Sequence, residues 1–336
     1  MRVQLVGLGH VGNSLVQLID EKEEFLKSIG LDLQVVSISD SKGTVSDENG
    51  FNLKEILRCK SIQWKDCAKY EKGVSALDAI GRVKCDVLVE LTPSTLSGEP
   101  GLANINAALR MKENVVTANK GPLVVDFEGL VRRAKKNGVK LLYEATVAAH
   151  LPVFCLTESC FKADRLDGIM GILNATTNYV LGEMEIGRSF EQAVDDAVRA
   201  GWAESNYSDD VDGVDSARKL VIIANALFGE AVKLKDVKVE GIRHVEPLLR
   251  AAREENARVK LLCKIIRNET KLEMTVSPKV IAASDPFATV NQGNMALQYT
   301  FRTSHEIFVS ANFIGPRQTA YAVLNDIVKI GCKTVC

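Results

Sequence analysis

The sequence has no uninterrupted apolar run reaching the ~18 residues that a membrane-spanning helix needs. Nor does a charged start followed by an apolar stretch and a cleavage site open the chain, because strand-like residues begin at Arg2-Val3-Gln4. No membrane association and a cytoplasmic location are therefore expected. Net charge is also nearly absent: 42 basic and 43 acidic side chains leave -1, so no global field draws in nucleic acid or an anionic membrane. A small-molecule substrate fits better. The eight cysteines lack the paired C-x-x-C spacing of a zinc site, and free thiols are expected. No internal repeat or low-complexity stretch interrupts the chain.

What is present is a soluble globular composition, 46% hydrophobic and 25% charged, in a chain long enough for two domains. Up to about residue 150, short apolar strands alternate with helical stretches, the pattern of a parallel sheet covered by helices. Strands are expected at Val3 to Leu8, Leu33 to Ser39, Asp86 to Glu90, Asn114 to Thr117 and Lys140 to Tyr143. A helix is expected from Asn13 to about Ile29, and residues 41 to 67 read as a long polar connection with a helix near Leu53 to Arg58. Beyond residue 150 longer strands and helices follow, including a helix from Phe190 with Ser189 and Gln192 placed for a capping box and another from Val214 to Leu227. The fold class expected is α/β: residues 1–150 with 312–336 form a Rossmann-type dinucleotide-binding domain, and 151–311 an α+β substrate-binding and dimerisation domain.

Gly7-Leu8-Gly9-His10-Val11-Gly12 is a G-x-G-x-x-G run directly after a strand and before a helix. In that context the first glycine permits a tight turn, the second lets backbone approach a pyrophosphate, and the third allows helix to pack on strand. The helix start offers free N–H groups to the phosphates. NAD or NADP is thus the expected cofactor. Asp40, closing the second strand, is placed to hold the ribose diol of NAD, whereas Ser41 and Lys42 can hold a 2′-phosphate; a solvated turn is the plain alternative. Thr92 and Pro93 follow a strand at the sheet edge where ligands of open α/β sheets lie, and are expected near the nicotinamide.

The stretch Gly201-Trp202-Ala203-Glu204 through Asp209-Asp210-Val211-Asp212-Gly213-Val214-Asp215-Ser216-Ala217-Arg218-Lys219 carries the most chemistry. Asp215 and Lys219 lie four apart and share one helix face; such a pair is usually a surface contact worth a few tenths of a kcal/mol. Here the helix runs on through Leu220 to Leu227 in apolar residues, which points to a buried pair suited to a polar substrate.

These residues resemble the G-Y-A-E and D-D-x-x-G-x-D-x-x-R-K elements of homoserine dehydrogenases, with Trp202 the departure. Thr117-Ala118-Asn119-Lys120, Tyr143-Glu144-Ala145-Thr146-Val147 with Leu151-Pro152, and Gly171-Ile172-Leu173-Asn174-Ala175-Thr176-Thr177-Asn178-Tyr179 resemble further elements of that family, in family order. Gly315 with Thr319-Ala320 resembles a shortened glycine-rich turn before a last helix.

The resemblance implies NAD(P)-dependent interconversion of L-homoserine and L-aspartate 4-semialdehyde, a step of threonine and methionine biosynthesis. It implies Lys219 as proton donor and acceptor, Lys120 as a second lysine beside the reacting oxygen and nicotinamide, and Glu204, Asp210, Asp215 and Thr176 as substrate contacts. It also implies Gly315 near the cofactor and a Na+ or K+ held at Glu144, Val147, Ala149 and Leu151, mainly by backbone carbonyls. A homodimer built through the second domain is implied as well. Aspartate dehydrogenase and a catalytically silent nucleotide sensor are the alternatives; the first leaves Asp215 and Lys219 unexplained, and the second is opposed by the intact Lys120, Glu204, Asp215 and Lys219. No regulatory β-α-β-β-α-β segment follows the final helix, so weak or absent inhibition by threonine is expected. Three departures stand out: Ala148-Ala149-His150 where the family has glycines, Ala175 in place of a glycine, and Arg317, which reads as a phosphate ligand or an exposed charge.

Overall fold

The apolar residues that open the chain become the middle strand of a sheet. In the computed structural model, which describes residues 1–62, 69–200, 206–269 and 271–332, β1 (Arg2–Val6) is followed by α1 (His10–Glu21), α2 (Glu23–Ser28), β2 (Gln34–Ser39), β3 (Gly43–Ser46) and α3 (Leu53–Ile62). Next come β4 (Tyr70–Lys72), α4 (Ala76–Ala79), β5 (Val87–Glu90), α5 (Gly101–Arg110), β6 (Asn114–Thr117), α6 (Lys120–Asn137) and β7 (Leu141–Leu142). The strand order is β4-β3-β2-β1-β5-β6-β7. β1 runs parallel to both β2 and β5, and β5, β6 and β7 are parallel neighbours. Val87, Leu88 and Val89 are all buried because helices cover both faces, which is why β5 reads as a continuous apolar run. The winding reverses at β1, so a crevice opens beyond the C-terminal ends of β1 and β5.

Two expectations for this unit change. The helix expected to run unbroken to Ile29 is divided at Lys22, which leaves helical backbone geometry at φ -103° and ψ 11°. The connection expected from residue 41 instead turns back at once: β3 pairs antiparallel with β2, and β4 with β3. Its polar composition hid the hairpin. Ser39 and Thr44 are both buried, but their hydroxyls satisfy each other across the two strands at 2.8 Å.

The second sheet joins β8 (Leu166–Ile172), β9 (Lys238–Val239), β10 (Ala257–Arg267), β11 (Leu272–Ala282), β12 (Met295–Phe301) and β13 (His305–Ala311) in the order β13-β12-β8-β10-β11-β9. Its helices are α7 (Phe154–Cys160), α8 (Ala175–Glu185), α9 (Phe190–Arg199), α10 (Ser208–Val211), α11 (Val214–Ile223) and α12 (Glu246–Glu254). Ser189 and Gln192 form the expected capping box at α9. Helix α11 is apolar throughout its second half, and its residues 220–223 are completely buried. It widens into a π turn at Ala224–Phe228.

The last helix, α13 (Pro316–Gly331), packs on α1. Two compact units thus result, Met1–Ala149 with Pro316–Cys336, and His150–Gly315. Asp326 of α13 is buried, accepts the Glu144 backbone N–H at 2.9 Å and pairs with Lys329; burial pushes its carboxyl up to about 6. Arg317 pairs with both carboxylate oxygens of Glu21 on α1, so this residue is occupied by an ion pair. Among the described residues no helix is long and apolar enough to cross a membrane, and Cys85, Cys155, Cys160, Cys263 and Cys332 are free thiols.

Lys260 of β10 is 1% exposed and donates to Asn178 Oδ1 at 3.0 Å and to the Val290 carbonyl at 2.6 Å. Burial pushes its ammonium down to about 8 from an ordinary value of 10.5. The unfolded chain therefore holds this proton more tightly, and the penalty on the fold, full below pH 8, is relieved as pH rises toward 10.5. Denaturant unfolding of the protein and of Lys260→Met across pH 7 to 10.5 checks this. The difference in stability should move in favour of the parent protein by roughly 3 kcal/mol with rising pH; a pH-independent difference contradicts it.

Candidate active site

The loop after β1 divides three jobs among its glycines. Gly7 has φ +98°, and a Cβ there would lie 2.6 Å from the Leu91 carbonyl carbon, so the turn presses against the segment leaving β5. A Cβ on Gly12 would stand 2.3 Å from the Gly7 carbonyl oxygen, so only glycine lets α1 start this close to the strand. Gly9, by contrast, has open space where its Cβ would be. Gly9 and His10 are exposed, Val11 is half-buried, and α1 begins without a side-chain cap. The first N–H groups of a helix lack intrahelical acceptors. Tight packing on either side of one open position, followed by unsatisfied donors, is what a dinucleotide pyrophosphate requires, and these residues fit it.

Two of the other segments expected to meet the cofactor adjoin this loop, the end of β2 and the segment leaving β5. Asp40 closes β2, and its Oδ1 accepts the backbone N–H of Lys42 at 2.7 Å and of Gly43 at 3.0 Å, so the carboxylate also builds the β2–β3 turn. Thr92 and Pro93 follow β5 at the C-terminal edge of the sheet. Thr92 donates through both its backbone N–H and its hydroxyl to Glu90 Oε1, and accepts from Asn119 Nδ2 at 3.0 Å. Glu90, unremarkable in the sequence as the end of a buried strand, is completely buried here and also accepts from Asn104 at 2.9 Å. Burial raises its carboxyl, against the lowering effect of those donors. Asn119 Oδ1 in turn caps α6 through the Gly121 N–H, and Lys120 is the first residue of that helix. An acid at the end of an apolar strand was the available signal for Glu90, but its partners come from α5 and the start of α6. Gly315 immediately precedes α13.

In the second unit, the junction between β8 and α8 gathers the predicted polar residues. Lys219 and Asp215, four apart on α11, form an ion pair of 2.6 Å with only 12% of each side chain exposed. Lys219 Nζ also donates to the Leu173 carbonyl at 2.6 Å. Asn174 Nδ2 donates to Asp215 Oδ2 at 3.0 Å and to Asp210 Oδ1 at 2.6 Å. Its Oδ1 accepts the Thr177 N–H at 2.8 Å and thereby caps α8. Thr176, 5% exposed, sits in the first turn of α8. Arg218, largely buried, holds Asp209 at 2.6 Å and so fixes the residue next to Asp210. The structure therefore brings Asp210, Asp215 and Lys219 together, with Thr176 on the adjoining helix. Glu204 and Trp202 lie outside the described residues.

Asn174 stands in a segment that resembles a family element, but the sequence gives it no role and does not show α8. The helix opens Ala175-Thr176-Thr177-Asn178, in which only Ala175 is a good helix former, and the local sign of its start is an Asn three residues before a helical N–H.

The expected cation turn is strained in a particular way. Glu144 begins a short 3-10 turn, Glu144–Thr146, and is 6% exposed. Val147, Ala149 and Leu151 are buried. Ala148 and Ala149 both have positive φ, +54° and +53°, a conformation that favours glycine.

Similarity to known proteins accords with this arrangement. A family model described as homoserine dehydrogenase matches residues 152–328, and one described as the homoserine dehydrogenase NAD-binding domain matches residues 7–144. The chain is 35% identical to a homoserine dehydrogenase of Methanocaldococcus jannaschii and covers 98% of both sequences. It is 32% identical to an NAD(+)-dependent homoserine dehydrogenase of Pseudomonas canavaninivorans over 98% of this chain and 96% of the relative. A crystal structure of a putative homoserine dehydrogenase from Archaeoglobus fulgidus superposes with a TM-score of 0.89 at 33% identity, over 99% of each chain. A hyperthermophilic archaeal homoserine dehydrogenase mutant in complex with NADPH superposes with a TM-score of 0.85 at 27% identity, over 99% of this chain and 98% of that one. With both halves matched and relatives aligned end to end, the chain belongs to the homoserine dehydrogenase family.

Proposed function

We propose that, in the NAD(P)-dependent interconversion of L-homoserine and L-aspartate 4-semialdehyde, Lys219 exchanges the proton with the substrate oxygen and Asp210 and Asp215 hold the substrate's ammonium. The buried Asp215–Lys219 pair carries this reading. An ion pair at such low exposure is weak evidence of stabilisation, since desolvation offsets much of the Coulomb attraction. A role in binding and proton transfer accounts for its place at the polar end of an otherwise apolar helix.

The nicotinamide, when bound, supplies or takes up the hydride. Everything else falls to the chain. The 7–12 loop and the start of α1 hold the pyrophosphate, with Thr92, Pro93 and Gly315 as further cofactor contacts. Lys219 gives its proton to the oxygen as the aldehyde is reduced, or takes it from the hydroxyl as homoserine is oxidised. Lys120, at the first turn of α6, is read as the second ammonium that stabilises negative charge on that oxygen. Thr176 and Glu204 complete the substrate contacts.

Two assembly features belong to the same reading. A Na+ or K+ at Glu144, Val147, Ala149 and Leu151 is supported by the two left-handed alanines, since alanine adopts that conformation at a cost of about 1–2 kcal/mol and a ligand can select it. A homodimer through the second unit is supported by the face of its sheet that carries Phe308, Gln298, Met170, Lys264 and Thr275 in register across five strands, each at least partly exposed. Sedimentation and turnover in potassium and in tetramethylammonium buffers check both: a mass of two chains and a loss of activity without the small cation are expected, whereas a single-chain mass or unchanged turnover removes the respective feature.

Lys219→Ala should retain fold and cofactor affinity while kcat falls by roughly two to four orders of magnitude, the range of a lost general acid–base group. Near-normal turnover in the folded variant would take Lys219 out of the mechanism.

Asp40 is proposed as the position that discriminates the two cofactors. Asp40→Asn keeps an oxygen for the Lys42 and Gly43 N–H groups but removes the charge. NAD affinity should fall about tenfold or more while NADP affinity holds or improves; equal losses in titrations with both cofactors would leave Asp40 a turn residue only.

A further inference from the structure

We propose that Asn174 is a positioning residue of the active site, whose amide sets the geometry of both substrate-binding carboxylates and, through Asp215, of Lys219. The proposal rests on the reading of Asp210, Asp215 and Lys219 given above.

Three observations carry it. Asn174 is 4% exposed, so its hydrogen-bonding groups must find partners inside the protein. Its orientation is decided by chemistry: Oδ1 lies 2.8 Å from the Thr177 N–H, a donor that only the carbonyl oxygen can accept from. Nδ2 is thereby aimed at the two carboxylates, at 2.6 Å from Asp210 Oδ1 and 3.0 Å from Asp215 Oδ2. An amide nitrogen has two protons, and here each has one acidic acceptor.

The bridge does more than hold a helix end. Asp210 belongs to α10 and Asp215 to α11, and their charges repel wherever they converge on one ligand ammonium. A donor shared between them offsets that repulsion before substrate arrives and fixes the distance between the two oxygens. The same Asp215 oxygen that accepts from Asn174 accepts from Lys219 at 2.6 Å. The preceding residue, Leu173, gives its carbonyl to Lys219 at the same distance. Leu173 and Asn174, two consecutive residues at the end of β8, therefore set the ammonium from one side and its carboxylate partner from the other. The base of this junction is rigid, because Asn178, one turn further along α8, donates to the Val290 and Asn294 carbonyls and accepts from buried Lys260.

Asp is as good a helix cap as Asn, but it replaces the bridging donor with an acceptor. Asn174→Asp thus separates the cap from the bridge, and Asn174→Ser supplies a capping hydroxyl with no added charge. In homoserine oxidation at neutral pH, Asn174→Asp should lower kcat at least tenfold and raise the KM for homoserine at least tenfold. Its dissociation constant for the nicotinamide cofactor should stay within twofold, while its melting temperature falls, because a third carboxylate is buried beside Asp210 and Asp215; the melting temperature of Asn174→Ser should stay within a few degrees. Asn174→Ser should show the same split, with smaller losses. A mere cap makes the opposite forecast, normal kcat and KM in both variants, and that result overturns the proposal. Should Asn174→Asp not fold, the kcat and KM of Asn174→Ser decide alone. Lys219→Ala, measured alongside, tells the two readings apart: an inactive Lys219→Ala with a fully active Asn174→Asp removes only the bridge, whereas an active Lys219→Ala removes the site assignment beneath it.

Discussion

Burying the Asp215–Lys219 pair at the polar end of α11 is the constraint to which the second unit is built. Each charge loses hydration, and their mutual attraction compensates only if the remaining donors and acceptors are met. The surrounding elements supply those partners: the Leu173 carbonyl for the ammonium, and the Asn174 amide for the carboxylate. This requirement places the end of β8 against α11 and puts a polar residue, Asn174, at the cap of α8. It also explains why residues 220–223 can be apolar without exception, since the helix meets its polar demands at one end only. Arg218, pointing instead to Asp209, ties α10 to the same helix and holds Asp210 near the cluster.

A second polar network has the same logic in the nucleotide-binding unit. Glu90 is buried where the parallel strands end, and it is tolerable there because Thr92, Asn104 and Asn119 all donate to it. The carboxylate organises the edge beside the glycine loop and the first turn of α6, where Lys120 begins its helix. Both networks use an asparagine as a helix cap whose amide nitrogen reaches a carboxylate: Asn119 to Glu90, and Asn174 to Asp210 and Asp215.

Local chemistry was legible in the sequence wherever one segment carries it whole. The glycine loop is such a segment, because its turn, its open position and its helix contact involve residues 7 to 12 and their immediate neighbours. Lys219 and Asp215 were legible because helical periodicity alone puts them on one face. Asn174 was not: its partners lie 36 and 41 residues away in the chain, and only the fold brings them together. Glu90 was hidden for the same reason. The β2–β3 hairpin was obscured because Ser39 and Thr44 look like loop residues until paired with each other. Ala148 and Ala149 show the converse case, in which resemblance marked positions usually held by glycine, and the backbone takes the left-handed conformation without it.

If the buried pair acts as a unit in proton transfer, its two members should not contribute independently to turnover. The most direct measurement is a double-mutant cycle on kcat for homoserine oxidation, with Asp215→Asn, Lys219→Gln and the double variant at saturating substrate and cofactor. The double variant should be no slower than Lys219→Gln within a few-fold, because Asp215 then has no proton donor left to orient. Losses that multiply across the two substitutions would contradict the account, and Asp215 and Lys219 would be separate contributors that happen to lie side by side.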